Sequence, residues 1–227
     1  MTEADWNNCN DPALMLTFLR GNVSQRKLRL FACACCRRAW HDKVHPAVLT
    51  AERFADGLVG RQDLIDAEFK IGALGSYSAL AYASNAAAAV LNDVPSAAAD
   101  WAARNSSVSF ALAAVHDFIT SDNKDVMEAA RAQELHVQAA LLRDIVGNPF
   151  RPLPLLNWRT PAILNLAREA YDDRIMPAGT LDNARLAALA ALLQEAGCDD
   201  AELLNHLRAP APHYRGCFAL DLVLGKA

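Results

Sequence analysis

No stretch of this chain alternates apolar and polar residues convincingly over the length of a strand, whereas signals that start and stop helices recur along it. Asp11-Pro12 and Thr160-Pro161 each place a capping side chain before a proline at the first helical position. Ser24, Ser121 or Asp122, Asp182, and Asp199 or Asp200 supply further caps. Gly21, Gly57 or Gly60, and Gly197 stand where helices stop. The expected helices run from Pro12 to Gly21, from Ser24 to His41 or Lys43, and from Pro46 to Gly57 or Gly60. An alanine-rich stretch from Gln62 to Asn92 follows, with a break near Gly72 or Gly75. A short helix starts at Pro95 and another at Ser106 or Ser107, ending near Thr120. Then come Lys124–Val146, Pro161 to Arg174, Leu186–Ala196, Asp199 or Asp200 to Leu207 and Cys217–Leu224. No segment repeats at a fixed period, which argues against a regular solenoid. The fold class is all-α: a multi-helix bundle of about ten helices.

Three prolines within Gly147–Pro154 forbid helix there and form a stiff connector. The expected organisation is an N-terminal helical bundle over 1–146, a Pro-rich connector over 147–159, and a smaller C-terminal helical unit over 160–227. With 227 residues and 53% hydrophobic content the chain can bury a real core. A charged fraction of 21% excludes a disordered chain, and a net charge of −4 argues against one that coats nucleic acid non-specifically. The apolar runs Ala79–Leu91 and Leu186–Leu193 fall short of the roughly 20 residues that span a bilayer. The acidic, polar N-terminal residues do not read as an export signal, and six cysteines are too sparse for a disulfide scaffold. The expected setting is cytoplasmic, with reduced thiols and no membrane partner.

The segment Arg26–His41 carries three of the six cysteines and a string of cations. Between Pro12 and His41 there is no Asp or Glu, although the whole chain is acidic. Cys33-Ala-Cys-Cys36, His41 and His45 approach a zinc-knuckle spacing. The last ligand comes one residue early and is not Cys, and no glycine supplies the tight turns. A regular helix rising about 1.5 Å per residue spreads Cys33 to His45 over about 18 Å, too far to converge on one ion. A redox dithiol is disfavoured as well, because these cysteines lie mid-helix, away from the N-terminal dipole that lowers thiol pKa. The reading that remains is a central helix with Leu28, Phe31, Cys35 and Ala39 on one buried face, Ala32, Cys36 and Trp40 alongside, and cysteine acting as a small hydrophobe. The cations Arg26, Lys27, Arg29, Arg37 and Arg38 either form an exposed nucleic-acid stripe or pair with acids such as Asp56, Asp63, Asp66, Glu68 and Asp144. Pairing is favoured, because Lys27 and Arg38 lie off the face that Arg26, Arg29 and Arg37 share.

A second set of zinc-type ligands, Cys198, His206, His213 and Cys217, has the right number of donors at spacings of no familiar finger. It converges only if the loop Ala209–His213 folds back. Metal is therefore not favoured at either set, and no cofactor is expected. The histidines are expected to bond helix ends, Cys198 and Cys217 to fill core, and Arg215 to pair with Asp221. Catalysis has little support: there is no Gly-rich phosphate loop, nucleophile elbow or H-E-x-x-H, and Glu134 and His136 point apart on their helix.

Leu28-Arg-Leu-Phe-Ala-Cys-Ala-Cys-Cys-Arg-Arg38, Leu141-Leu-Arg-Asp-Ile-Val-Gly-Asn-Pro-Phe-Arg-Pro152 and His213-Tyr-Arg-Gly-Cys217 together resemble blocks of an expanded family of uncharacterised bacterial proteins. A typical member of that family carries a second cysteine just after the counterpart of His206, where this chain has Leu207. The departure weighs against metal. The resemblance implies no activity and no catalytic residue. It does imply that Asn148–Arg151 and His213–Cys217 belong to one module with the cysteine helix.

The expectation is a non-enzymatic protein-interaction or adaptor module with another protein as partner. Its binding residues would be Arg29, Arg37, Arg38, Asn148, Arg151, His213 and Arg215. The alternative is a small zinc-binding or nucleic-acid-binding protein, and the third reading is a helical enzyme.

Overall fold

The computed structural model describes residues 1–39, 45–71, 79–90, 94–114, 120–151 and 158–226. Trp40, His41, the break near Gly72 and Gly75, and Pro152 and Pro154 lie outside them. Among the described residues the chain is all-α. The helices are α1 (Glu3–Asn8), α2 (Pro12–Leu19), α3 (Gln25–Arg38), α4 (His45–Ala55), α5 (Arg61–Ile71), α6 (Ala79–Ala89), α7 (Pro95–Ala114), α8 (Lys124–Val146), α9 (Pro161–Asp172), α10 (Asn183–Glu195), α11 (Ala201–Arg208) and α12 (Phe218–Leu224). Only isolated bridges, Ile175 with Thr180 and Thr180 with Tyr214, have strand character among them. None of these helices is long and apolar enough to cross a membrane.

Most of the caps carry out their expected chemistry, whereas Ser121 and Asp122, expected to cap α8, lie in a 3-10 turn whose own N-cap is Thr120. Asp11, Ser24, Thr160, Asp182 and Asp200 each accept a hydrogen bond from a first-turn backbone N–H. Helix α1 was not expected, although Thr2 and Asp5 form a reciprocal capping box. The expected start at Ser106 or Ser107 is corrected, because α7 runs straight through both. Their hydroxyls donate to the carbonyls of Ala103 and Arg104 within the helix, so neither acts as a cap.

Contacts divide the chain into Met1–Leu142 and Arg143–Ala227. The division falls inside α8, earlier than the expected 146/147 boundary, so the last turn of that helix belongs to the second unit.

In the first unit, α3 is central and packs on α4, α6 and α7. Leu28, Phe31, Ala32, Cys33, Cys35 and Cys36 are all buried, and Cys33 and Cys36 join a cluster with Val48, Leu64 and Val90. Burial pushes the Cys33, Cys35 and Cys36 thiols far up, so they are neutral apolar filler. The second unit buries Ile163, Tyr171, Leu186, Leu189, Leu193, Leu203, Leu207 and Phe218 in one cluster contributed by α9–α12. This core sets the angle at which α11 and the start of α12 meet.

Candidate metal centre

The four arginines of α3 are occupied within their own unit. Arg37 donates through Nε and Nη2 to both carboxylate oxygens of buried Glu52, at 2.5 and 2.8 Å. Arg38 does the same to Glu134, with a closest approach of 2.8 Å, and stacks on Phe110. Arg26 pairs with Asp56 at 2.8 Å. Buried Arg29 bonds the carbonyl of Val90 just past the end of α6 and lies over Phe54, where a cation meets the negative end of a helix dipole. Arg29 and Arg37, both among the expected binding residues, are buried. Pairing was the favoured expectation, yet Glu52 and Glu134 were not among the acids named for it.

Asp144 was expected to pair with a cation; its partners are instead two histidines and a backbone amide. Its position is fixed by the end of α8. Gly147 adopts φ 77°, the left-handed conformation that suits glycine at a helix end. A Cβ at Gly147 would sit 2.8 Å from Cγ of Phe218, so the backbone must approach that ring closely. Asn148 then turns the chain by accepting the N–H of Phe150. This brings Asp144 to the start of α12.

His206 lies in the last turn of α11, whose apolar face of Leu203, Leu204 and Leu207 is buried in the core. His213 and Cys217 come from the following loop, with Cys217 at the N-cap position of α12. The loop is anchored by the amide of Leu181 donating to the carbonyl of His213 at 2.8 Å. The ring of His206 rests on Phe218, 4.3 Å between centroids, and meets the edge of His213.

Four donor atoms therefore converge. Asp144 Oδ1 lies 2.7 Å from His213 Nδ1 and 3.1 Å from His206 Nε2, and His206 Nε2 lies 3.2 Å from Cys217 Sγ. One atom from each of Asp144, His206, His213 and Cys217 falls within 4.8 Å of the others. Asp144, His213 and Cys217 are buried, and the His206 side chain is 20% exposed. The second carboxylate oxygen of Asp144 accepts the Tyr214 N–H at 2.9 Å. Burial alone would raise the Asp144 carboxyl, but hydrogen bonds with His206 and His213, and their charge, outweigh it and hold it at about 2. Burial likewise opposes charging of His213, and the adjacent carboxylate overcomes this and raises its pKa.

The geometry does not make a Cys–His–Asp relay. In such a relay one ring nitrogen takes the thiol proton while the other is held by the carboxylate. Here Cys217 and Asp144 face the same nitrogen of His206. The donors point at a common centre instead.

The remaining expected residues lie apart from this group. Cys198 is buried in the apolar cluster and is not one of the converging donors. Arg215 lies over the Tyr171 ring at 4.5 Å and 3.7 Å from Asp172. Asn148 serves the turn after α8, and exposed Arg151 lies 3.7 Å from Glu202. Of the expected binding residues, only His213 belongs to the convergent group. No family model, curated protein or solved structure matches this chain.

Proposed function

We propose that this protein binds a divalent transition-metal ion through Asp144, His206, His213 and Cys217. The observation that carries the reading is the convergence of carboxylate, imidazole and thiol donors, from three separate segments, on one point. A four-coordinate ion with ligand bonds of about 2.0–2.3 Å sets neighbouring donors about 3.3–3.8 Å apart. The pairs at 2.7–3.2 Å reach that spacing by opening about half an ångström. Six free cysteines fit the reducing, cytoplasmic setting in which such thiolates persist. Elemental analysis of purified protein tests the reading: close to one metal per chain is expected, and far less in an Asp144→Ala/His213→Ala variant. Wild-type protein that neither carries metal nor takes it up after dialysis against zinc would refute it.

A protein-interaction role is supported by a different feature. Ile65 and Phe69, one turn apart on α5, are 49% and 89% exposed. If this face pairs two copies of the chain, association in sedimentation depends on concentration and is lost in the Ile65→Ser/Phe69→Ser variant. A chain that stays monomeric at every concentration leaves self-association through this face without support.

A further inference from the structure

We infer that the ion is zinc or an ion of its kind, four-coordinate and borderline-soft, and that it acts as a structural clamp tying the last turn of α8 to α11 and the start of α12. This rests on the metal-binding reading above and adds the ion's class and its task.

The donor set selects the class. Calcium and magnesium take six or more oxygen ligands, and this group offers a single carboxylate among two imidazoles and a thiol. Two nitrogens, one sulfur and one oxygen suit a borderline ion without geometric demands of its own, which describes zinc.

The arrangement selects the task. Catalytic zinc sites keep three protein ligands and leave a position for water or substrate, whereas structural sites are closed by four. All four donors here come from the chain, and three of the four residues are buried. Structural sites also hold their ligands with outer hydrogen bonds. The amide of Tyr214 holds the far oxygen of Asp144, and the far nitrogen of His213 faces the carbonyl of Ala209 at 3.4 Å. Both anchors belong to the loop between α11 and α12, so the chain that needs fixing also orients the ligands.

The links are long in sequence, 62 residues from Asp144 to His206 and 69 to His213. The loop itself carries Pro210 and Pro212 and cannot be helical. Closing such spans by chain entropy alone is costly, and a bound ion that the unfolded chain cannot hold contributes its binding energy to folding.

The experiment uses the full-length wild-type protein, stripped with a chelator and reloaded with cobalt(II) or zinc. Four-coordinate cobalt with a thiolate ligand is expected to give intense visible bands and a sulfur-to-metal charge-transfer band in the near ultraviolet. The charge-transfer band should vanish in Cys217→Ser protein that still binds cobalt. Zinc reloading is expected to raise the Tm by more than about 5 °C. Weak, six-coordinate cobalt spectra with binding intact would overturn the assigned ion class and leave the metal-binding reading standing. Four-coordinate binding with no change in Tm would overturn the clamp. Protein that binds neither ion would overturn the metal-binding reading itself.

Discussion

Replacing Arg37 by methionine isolates the energetic role of the α3 cations. Arg37 and Glu52 form a two-point pair at 2.5 and 2.8 Å, with side chains only 1% and 2% exposed. Arg37→Met leaves the Glu52 carboxylate in a site closed to water. Breaking a buried pair in this way costs about 3–5 kcal/mol. With a urea slope of about 2 kcal/mol per M, a loss of about 4 kcal/mol lowers the unfolding midpoint by about 2 M. The double variant Arg37→Met/Glu52→Leu removes both charges and is expected to recover to within about 1 kcal/mol of wild type or better, because the pair's mutual attraction does little more than repay its desolvation. The exposed pair Arg20–Asp100 is the control: its side chains are 63% and 30% exposed, and Arg20→Met should cost less than about 1 kcal/mol. Urea titrations followed by far-ultraviolet circular dichroism measure all four proteins. A structural role for the buried pair is refuted if Arg37→Met moves the midpoint no more than Arg20→Met does, or if the double variant is no better than the single one.

Three further outcomes follow from the same structure. Gly147→Ala forces a Cβ to 2.8 Å from the Phe218 ring at a φ of 77°, and should cost about 2–4 kcal/mol in thermal unfolding; Gly21→Ala, with nothing within 4 Å of the added carbon, should cost only about 1–2 kcal/mol. In native protein a maleimide should label Cys9, which is half-buried, while Cys33, Cys35 and Cys36 react only after unfolding; mass spectrometry of the labelled peptides decides it. The charge reversal Arg29→Glu/Arg37→Glu should unfold the first unit, seen as lost helical circular dichroism; a folded variant with weakened, salt-sensitive nucleic-acid binding contradicts the pairing.

The helical fold was legible because its signals are local. Asp11, Ser24, Thr160 and Asp182 act within one turn of themselves, and so they read correctly from sequence. Ser106 and Ser107 misled because a serine bonding back to a carbonyl inside a helix looks the same in sequence as one capping a new helix. The burial of the α3 cysteines was legible from helical spacing and the absence of turn glycines. Their neighbours' partners Glu52 and Glu134 were not, since a helix face does not say which acid will meet it.

The proposed metal centre was half legible. His206, His213 and Cys217 were in view as a set, but spacing alone could not separate them from Cys198, which the fold turns into the apolar core. Asp144 lies 62 residues before His206, on a different helix, and resembled a partner for arginine. The one local sign was Gly147, whose left-handed turn carries α8 up to Phe218 and so delivers Asp144 to the group.

A crystal structure of zinc-loaded protein, with diffraction recorded on both sides of the zinc absorption edge, tests the metal centre most directly. One anomalous peak is expected, enclosed by Asp144 Oδ1, His206 Nε2, His213 Nδ1 and Cys217 Sγ, at about 2.0–2.3 Å from each. Density with no peak there, and Asp144 still hydrogen-bonded to both histidines, would contradict it.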